Sequence, residues 1–332
     1  MVTIDDIAKK AGVSKGTVSN VFSKKRPASA VVTEKIMKIA QELNYSPNQI
    51  ARSLATKKTM TIALKMPISS EFELSAFETK VINGVVKKCS EFGYRVLLDR
   101  FSENSNSPLY SNDPVDGVIL LNPCDSDTRV LQYKRFEMPF VLIGRPEKED
   151  GGTYFVDNNN VEIVKEVGEY LIGNGHKRIL FFNASPHMTV AEDRKEGLKQ
   201  AFENYNLEFI EENVLYYNQS DFENSSDYGY RSLLEKFSSD KFTAVITDTD
   251  RVALGAMRAS RELGINVPGD LSIVALGNNE TLALETTPKL TSVELFPDKL
   301  GQEAAEVLLN VLNKTPAPRK KMISAKLVIR DS

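Results

Sequence analysis

The sequence predicts an all-α helix-turn-helix head followed by an α/β body of two doubly wound lobes. Three observations support this fold class. The first 60 residues show the apolar spacing of short helices, with a glycine turn between the first two. The remaining residues alternate apolar strands with amphipathic helices. The net charge changes sign between these two parts. We therefore place the head at residues 1–46, a short helix and linker at 47–58, and the body at 59–332.

The length and composition indicate a soluble globular protein of two or three domains. The chain has 332 residues, of which 41% are hydrophobic and 26% are charged. Its two cysteines are too few for a disulfide framework or a clustered zinc site, and no apolar segment approaches the roughly 18 residues of a membrane span. Because the first residues also lack the apolar core of a signal peptide, we expect a cytoplasmic protein.

The net charge of −3 conceals a basic head and an acidic body. Residues 1–60 hold 11 Lys and Arg against 4 Asp and Glu, whereas the remaining residues hold 31 against 41. A compact basic domain is typical of nucleic-acid binding, although an ordinary solvated basic face gives the same balance. The charge therefore favours a DNA-binding head without establishing it.

The start of the chain carries the signals of two capped helices. Thr3 is a candidate N-cap with Asp6 three residues later, and Gly12 is placed to end the first helix in the left-handed conformation. Ser14 can cap the next helix after a turn of about three residues, which is the helix-turn-helix pattern. A third helix, TEKIMKIAQELNY, completes a small apolar core.

The second helix, within VSKGTVSNVF, has one face with only small or weakly basic polar side chains. Its inward residues are Val18, Val21 and Phe22, and its outward residues are Lys15, Gly16, Ser19 and Asn20. Short side chains let a helix approach base edges in the major groove, and a glycine inside a helix otherwise costs about 1 kcal/mol. This face predicts a DNA-reading helix; the alternative is a three-helix protein-binding module.

The segment after the head predicts a helix that is marginal on its own. Ser46 is an N-cap and Pro47 stands at the first helical position, but about nine residues is too short for a stable isolated helix. Ile50 and Leu54 share one face, and an exposed leucine there is a candidate wedge between base steps of a minor groove. The alternative is that Ile50 and Leu54 pack on the body.

Motifs along the whole chain resemble the lactose-repressor and galactose-repressor family of bacterial transcription regulators. The head and hinge motifs are TIDDIAKKAGVSKGTVSNVF and ELNYSPNQIARSLATKKT, and the body motifs are VDNNN, NGHKRI, DRKEG, DRVALGAMRASRELGINVPGDLSIV, TTPKLTSV and LVIRDS. These motifs follow the order of the family. The segment GNNETLALETTPKLTSV is similar to maltose-type regulators of Gram-positive bacteria.

The resemblance implies a homodimer that binds a pseudo-palindromic operator, with a hinge helix that folds on DNA. In this resemblance Leu54 matches the leucine that the family inserts between base pairs. The residues expected to contact DNA are Thr3, Ser14, Lys15, Gly16, Thr17, Ser19, Asn20, Asn48, Ala51, Leu54 and Ala55.

The resemblance also implies a body like that of periplasmic sugar-binding proteins. Its two lobes are joined by three crossovers, which we place near residues 158–161, 288–291 and 320–323. Lobe one is then expected to comprise 59–159 and 291–320, and lobe two 160–288 and 321–332. Ligands of open α/β sheets bind beyond the carboxyl ends of the strands, so we expect a small effector between the lobes.

The resemblance assigns effector contacts to this cleft. Arg194 of DRKEG matches the ligand-gripping arginine of the family, and the alternative is a helix-surface arginine beside Asp193. Two carboxylates common in the family are missing, because Gly144 and Gly277 stand in their places. The expected effector contacts are Ser69, Phe72, Arg194, Phe222, Thr249, Asp250 and Asn278.

The missing carboxylates favour a di- or oligosaccharide effector held by Arg194, neutral amides and aromatic rings. An arginine without a carboxylate partner would be electropositive, so a phosphorylated sugar is the second expectation. The predicted function is thus a repressor of carbohydrate-use genes, with a phosphorylated co-regulator protein as a further candidate partner. The alternatives are a solute-binding protein without a DNA role and a regulator that responds to a non-sugar effector.

No catalytic residue, metal or cofactor is expected. The motifs GxSxG, GxxxxGK[ST] and HExxH are absent from the sequence. His176 and His187 have no evident metal partner in the sequence, so a structural or surface role is expected for both. The sequence therefore predicts a protein that is not an enzyme.

Overall fold

The computed structural model describes residues 2–23, 28–45, 58–67, 74–101, 114–237 and 242–332. The chain divides into two compact units, Met1–Met60 and Thr61–Ser332. The second unit begins two residues after the expected start of the body at residue 59. Each unit is described separately below.

The described part of the first unit contains three helices, α1 (Ile4–Ala11), α2 (Lys15–Ser23) and α3 (Ala30–Glu42). The Thr3 backbone N–H donates to the Asp6 carboxylate at 2.9 Å, and these bonds from Thr3 lower the pKa of Asp6. Gly12 ends α1 with φ at 68°, and the Thr17 backbone N–H donates to the Ser14 hydroxyl oxygen at 3.1 Å. The predicted caps of α1 and α2 are therefore confirmed.

A small apolar core lies between these helices. Helix α3 begins three residues before the predicted segment, because the Ser29 hydroxyl accepts the Val32 backbone N–H at 3.4 Å and caps it. In α2 the predicted division holds in part: Val18 is fully buried, Val21 and Phe22 pack partly buried against the core, and Lys15 and Gly16 are exposed, but Ser19 and Asn20 are only partly exposed. The buried core residues are Ile7, Ala8, Ala11, Val18, Ile36, Ile39 and Ala40.

The described part of the second unit contains twelve strands in two six-stranded sheets, with orders β11-β5-β4-β3-β1-β2 and β12-β10-β9-β8-β6-β7. All strand pairs are parallel except β10 with β12. The strands are β1 (Thr61–Pro67), β2 (Arg95–Phe101), β3 (Gly117–Leu121), β4 (Phe140–Ile143), β5 (Tyr154–Asn158), β6 (Ile179–Asn183), β7 (Val214–Tyr216), β8 (Ala244–Thr247), β9 (Ser272–Ala275), β10 (Thr291–Glu294), β11 (Lys320–Ile323) and β12 (Lys326–Val328). The predicted body of two doubly wound lobes is confirmed.

The helices of the second unit cover these sheets. They are α4 (Ala76–Glu91), α5 (Thr128–Arg135), α6 (Asn160–Gly173), α7 (Thr189–Asn204), α8 (Ser225–Phe237), α9 (Asp250–Glu262), α10 (Glu280–Glu285) and α11 (Pro297–Leu312), with a short 3-10 turn at Glu211–Asn213. Helices α6 and α7 pack closely because Gly197 has no side chain: a Cβ there would lie 2.2 Å from the Val161 carbonyl oxygen. This contact fixes the helix that carries Arg194.

Two of the three crossovers between the lobes lie later than expected. The first follows β5 at Asn158, as expected. The expected second crossover at 288–291 is wrong, because residues 291–294 form β10, which pairs with β9 and β12 in lobe two. The expected third crossover at 320–323 is also early, because those residues form β11 of lobe one.

Neither cysteine forms a disulfide in this fold. Cys89 is buried in α4, where desolvation raises the pKa of its thiol to about 12, and Cys124 is partly buried. Across the described ranges, no set of three His, Cys, Asp or Glu side chains is arranged to hold a metal ion. None of the helices in those ranges is long and apolar enough to cross a bilayer.

Candidate DNA-reading face and effector cleft

The predicted DNA contacts of the head lie at the start of α1 and along α2. Thr3 and Ser14 are the residues before these two helices, and the Ser14 and Thr17 hydroxyl oxygens lie 2.9 Å apart. Lys15 pairs with Asp5, yet its side chain is 67% exposed. The other predicted contacts on α2 are Gly16, Ser19 and Asn20, whereas Asn48, Ala51, Leu54 and Ala55 lie outside the described residues.

The packing of the head gives no reason for a glycine at position 16. A Cβ on Gly16 would meet only the Ser14 hydroxyl oxygen, at 3.6 Å, which is an ordinary contact. Gly16 is exposed, and it does not need the left-handed conformation. Since glycine destabilises a helix interior, the bare surface at this point fits close approach by another molecule.

In the body, the carboxyl ends of the two sheets face each other. The Asp125 backbone N–H, after β3 of lobe one, donates to the His187 carbonyl oxygen of lobe two at 2.8 Å. The Arg145 guanidinium, after β4, contacts the Asp193 carboxylate of α7 with Nε at 2.8 and 2.7 Å from the two oxygens. The cleft between the lobes therefore lies at the edge where ligands of α/β sheets bind.

Arg194 is buried in lobe two beside this edge. Only 6% of the residue is exposed, its Nη1 donates to the Asp248 carboxylate directly after β8, and its Nε is buried without a hydrogen-bond partner among the described residues. The alternative that Arg194 is a helix-surface arginine is therefore wrong. The expectation that Arg194 lacks a carboxylate partner is also wrong, because Asp248 supplies one.

Thr249 and Asp250 continue the same turn into α9. The Thr249 hydroxyl oxygen caps the helix by accepting the Val252 N–H at 3.3 Å, and the Asp250 carboxylate accepts the Asn279 N–H at 2.7 Å. Burial raises the pKa of Asp250. A Cβ on Gly277 would lie 3.8 Å from the Asp250 nitrogen, so the position of the missing carboxylate adjoins this turn.

The Asn278 side chain is engaged by protein groups at both ends. Its amide nitrogen donates to Glu294 at 2.8 Å, and its oxygen accepts the Ser292 hydroxyl at 2.9 Å and the Arg330 guanidinium at 3.0 Å. Lys80 of lobe one donates to the Asn278 carbonyl oxygen at 3.4 Å and lies 3.8 Å from Glu294. Asn278 thus belongs to a polar cluster that joins the lobes.

Phe222 belongs to an aromatic cluster in lobe two. Its ring centroid lies 5.0 Å from that of Tyr228 and 6.2 Å from that of Tyr217, and the Arg231 guanidinium lies 5.1 Å from it. The ring is half-buried, and it packs against the hydrophobic core around Phe182. The remaining expected effector contacts, Ser69 and Phe72, lie outside the described residues.

Asp157 lies in the motif VDNNN, at the carboxyl end of β5, and was not among the predicted effector contacts. Its carboxylate accepts the Arg145 N–H at 3.0 Å and the Asn158 N–H at 2.7 Å. Burial raises its pKa to about 7, and these two hydrogen bonds oppose the shift. One sequence feature could have identified the missed residues: a charged side chain at the carboxyl end of a buried parallel strand. Three residues have it, namely Asp157, Arg145 and Asp248.

Family models match both parts of the chain. The model described as "Bacterial regulatory proteins, lacI family" matches residues 3–48. The model described as "Periplasmic binding protein-like domain" matches residues 169–332. The solved structure of a transcriptional regulator CelR–cellobiose complex is similar over 100% of both chains, with a TM-score of 0.73 and 26% identity.

Two relatives are similar along almost their whole length. The transcriptional regulator MalR of Staphylococcus xylosus is 30% identical over 318 residues, which cover 94% of this chain and 92% of MalR. The transcriptional repressor PurR of Vibrio vulnificus is 29% identical over 339 residues, which cover 100% of this chain and 98% of PurR. The chain therefore belongs to the lacI family of bacterial regulatory proteins and is a DNA-binding transcription regulator.

Proposed function

We propose that this regulator is a repressor of carbohydrate-use genes that binds a pseudo-palindromic operator as a homodimer and is controlled by a di- or oligosaccharide. One observation carries the proposal: a helix-turn-helix unit with a bare reading face precedes a two-lobed body with a buried arginine in its cleft. The CelR structure, which contains cellobiose, supports a disaccharide effector. We place the protein in the cytoplasm, where its operator lies.

In this proposal α2 enters the major groove. Gly16 allows close approach, Asn20 contacts a base, and Lys15 reaches a phosphate or a base. Thr3 and Ser14 stand directly before helices and Thr17 lies in the first turn of α2, where phosphate contacts are typical. The Ser19 hydroxyl is proposed to reach a phosphate from the middle of α2. The hinge residues Asn48, Ala51, Leu54 and Ala55 contact the minor groove, with Leu54 as the wedge.

Exposed apolar side chains on lobe one support the homodimer. Strand β2 is an edge strand, and Leu97 and Leu98 on it are 41% and 43% exposed. Helix α4, which packs beside β2, exposes 44% of Val86. An exposed edge strand with apolar side chains is typical of a surface that pairs with another chain. Sedimentation should find a dimer that Leu97→Asp dissociates and Leu131→Asp, on exposed α5, does not.

The effector is proposed to lie between the lobes, against Arg194, Thr249 and Asp250. Phe222 is proposed to contact it through the exposed part of its ring, and Ser69 and Phe72 from the segment after β1. Because the Asn278 side chain is engaged within the protein, we propose that it acts on the effector by holding the two lobes.

Selection of bound duplexes from randomised DNA tests the proposed function, followed by affinity measurements on the selected sequence. A palindromic sequence should emerge, and disaccharides should change its affinity. Thermal shifts with sugars, sugar phosphates and a phosphorylated co-regulator protein identify the effector class. A protein that binds sugar but selects no DNA sequence would be a solute-binding protein, and the proposal would be wrong.

A further inference from the structure

The ion pair of Arg194 with Asp248, directly after β8, has unused hydrogen-bonding capacity. The Asp248 side chain is 22% exposed and the Arg194 side chain 8%, so the carboxylate is the more accessible partner. Arg194 contacts one carboxylate oxygen through Nη1, and its Nε has no partner among the described residues. The second oxygen of Asp248 has no protein donor in that part of the chain.

We propose that Asp248 binds the effector directly and, with Arg194, selects an uncharged polyhydroxyl ligand. The second Asp248 oxygen accepts a ligand hydroxyl, while a free Arg194 N–H donates to a neighbouring hydroxyl. Each hydroxyl of a vicinal diol both donates and accepts, so the pair matches two adjacent sugar hydroxyls. This inference rests on the proposed effector site.

Asp248 stands close to the place of the missing carboxylate. Strands β8 and β9 are neighbours, with Thr247 opposite Ala275, so Asp248 and Gly277 both lie just beyond the carboxyl ends of adjacent strands. A Cβ on Gly277 would lie 3.9 Å from the Cα of Thr249, the residue after Asp248. A carboxylate is therefore present at this corner of the cleft, supplied by β8 instead of β9.

The charges around the pair disfavour an anionic ligand. Arg194 is balanced by Asp248, and Arg145 is balanced by Asp193, which leaves the buried Asp157 as an additional acid. A phosphate group at this pair would meet carboxylates, and both arginines are already in ion pairs, so its desolvation would go uncompensated.

The opposite side of the cleft gives the same balance. Lys80 lies 3.8 Å from the Glu294 carboxylate, and the Arg330 guanidinium donates to Asn278 and to the Leu290 carbonyl oxygen. Asp250 adds a further acid there, accepting the Asn279 N–H. The two cations, Lys80 and Arg330, are matched in number by the two acids, Glu294 and Asp250, and the Arg330 guanidinium is already bonded to protein oxygens, so this side gives no preference for a phosphorylated ligand.

Asp248→Asn tests the assignment, because it keeps the side-chain size and removes the charge. Calorimetric titrations of the full-length protein would use cellobiose and maltose, each with its 6-phosphate derivative as the anionic probe. The wild type should bind a neutral disaccharide at least about tenfold more tightly than its phosphate, and Asp248→Asn should lose about tenfold or more for the neutral sugar. Because Arg194 is then unbalanced, the relative affinity for the phosphate should rise.

Glu203→Gln is the matched control, since it removes an exposed carboxylate from the same helix as Arg194. It should leave both sugar affinities, and the operator affinity without sugar, unchanged. Tighter binding of a sugar phosphate by the wild type would overturn the proposal, as would a neutral-sugar affinity that Asp248→Asn leaves unchanged. No binding of either neutral disaccharide would overturn it as well. Selective operator binding in any of these cases would leave the proposed DNA function intact.

Discussion

Arg145 and Asp193 join the two lobes through a two-pronged ion pair at the mouth of the cleft. Arg145 Nη2 lies 2.7 Å from one Asp193 oxygen, and Nε contacts both oxygens. The Asp193 carboxylate raises the pKa of Arg145 above its usual value. The Thr189 hydroxyl also donates to the Arg145 carbonyl oxygen at 3.1 Å, so α7 is attached to lobe one immediately before Arg194.

Arg145→Lys should weaken the coupling between effector and operator. Lysine retains the charge but cannot form the bidentate contact with Asp193, so the attachment of α7 to lobe one should weaken. Operator affinity without effector should stay within about threefold of the wild type, while the effector-induced change should shrink by about fivefold or more. Fluorescence anisotropy of labelled operator with increasing disaccharide measures both quantities. An unchanged effector response would show that this ion pair does not couple the sites.

Gly16→Ala should separate stability from DNA binding. A Cβ has open space in the free head, so alanine should raise the free energy of unfolding by about 0.5–1 kcal/mol. On DNA the same methyl group should hold α2 away from the base edges and cost about 1–3 kcal/mol, the value of one base contact. Gly173→Ala, in the exposed last turn of α6, is the control. If Gly16→Ala bound the operator normally, the bare face would not be the contact surface.

Gly197→Ala should impair the effector site without touching the ligand. The added methyl group would meet the Val161 carbonyl oxygen at 2.2 Å, so α7 must shift away from α6 and carry Arg194 with it. Overpacking of this kind costs about 1–3 kcal/mol of stability. We expect weaker disaccharide binding by calorimetry, whereas Gly152→Ala, with only ordinary contacts, should be neutral. Normal sugar affinity in a destabilised Gly197→Ala protein would contradict this account.

Asp157 should make the stability of the body depend on pH. Its pKa is about 7 in the folded protein against 3.8 for an unperturbed aspartate, so between these two pH values the folded state binds a proton that the unfolded state does not. Its contribution to stability is therefore present below pH about 4 and is lost as pH rises through about 7. Asp157→Asn should make the slope of unfolding free energy against pH less negative by up to about 1.4 kcal/mol per pH unit. Urea unfolding from pH 4 to 8 measures it, and an unchanged slope would rule out Asp157 as the source.

Asn20→Ala should change sequence preference rather than general affinity. An asparagine that makes a bidentate contact with adenine contributes about 1–3 kcal/mol of discrimination. Loss of that contact should relax the preference at one position in each half-site. Lys15→Ala, which removes a charge from the same face, should instead lower the salt dependence of binding. If Asn20→Ala weakened binding equally on every sequence, Asn20 would contact the backbone instead.

The sequence predicted the elements whose pattern is local and strong. The caps at Thr3 and Ser14, the small apolar core of the head and the alternation of apolar strands with helices in the body follow from residue spacing alone. Short or edge strands such as β7 and β11 were not predicted, because three or four residues carry little periodic signal. The crossover after β10 was misplaced because the resemblance implies that the chain changes lobe near this point but does not specify the residue at which it does so.

The candidate site was predicted less completely than the fold. Arg194 was found through the resemblance, but its partner Asp248 and the lobe-joining pair of Arg145 with Asp193 arise from contacts between residues distant in sequence. No local pattern specifies which carboxylate an arginine will meet. Gly144 is a second case in which a long-range contact could not be predicted from local sequence. A Cβ at this position would lie 2.7 Å from the Pro123 Cδ atom, and only the fold reveals this clash.

The most direct test of the account is the affinity of the full-length protein for its selected operator, measured against a scrambled duplex with and without disaccharide. We predict binding at least about a thousandfold tighter to the operator than to the scrambled duplex, an affinity that falls steeply with salt, and a change in operator affinity on adding the sugar. Arg194→Ala should retain operator binding and lose the response to sugar. Equal affinity for both duplexes, or a full sugar response in Arg194→Ala, would contradict an operator-reading head controlled by this cleft.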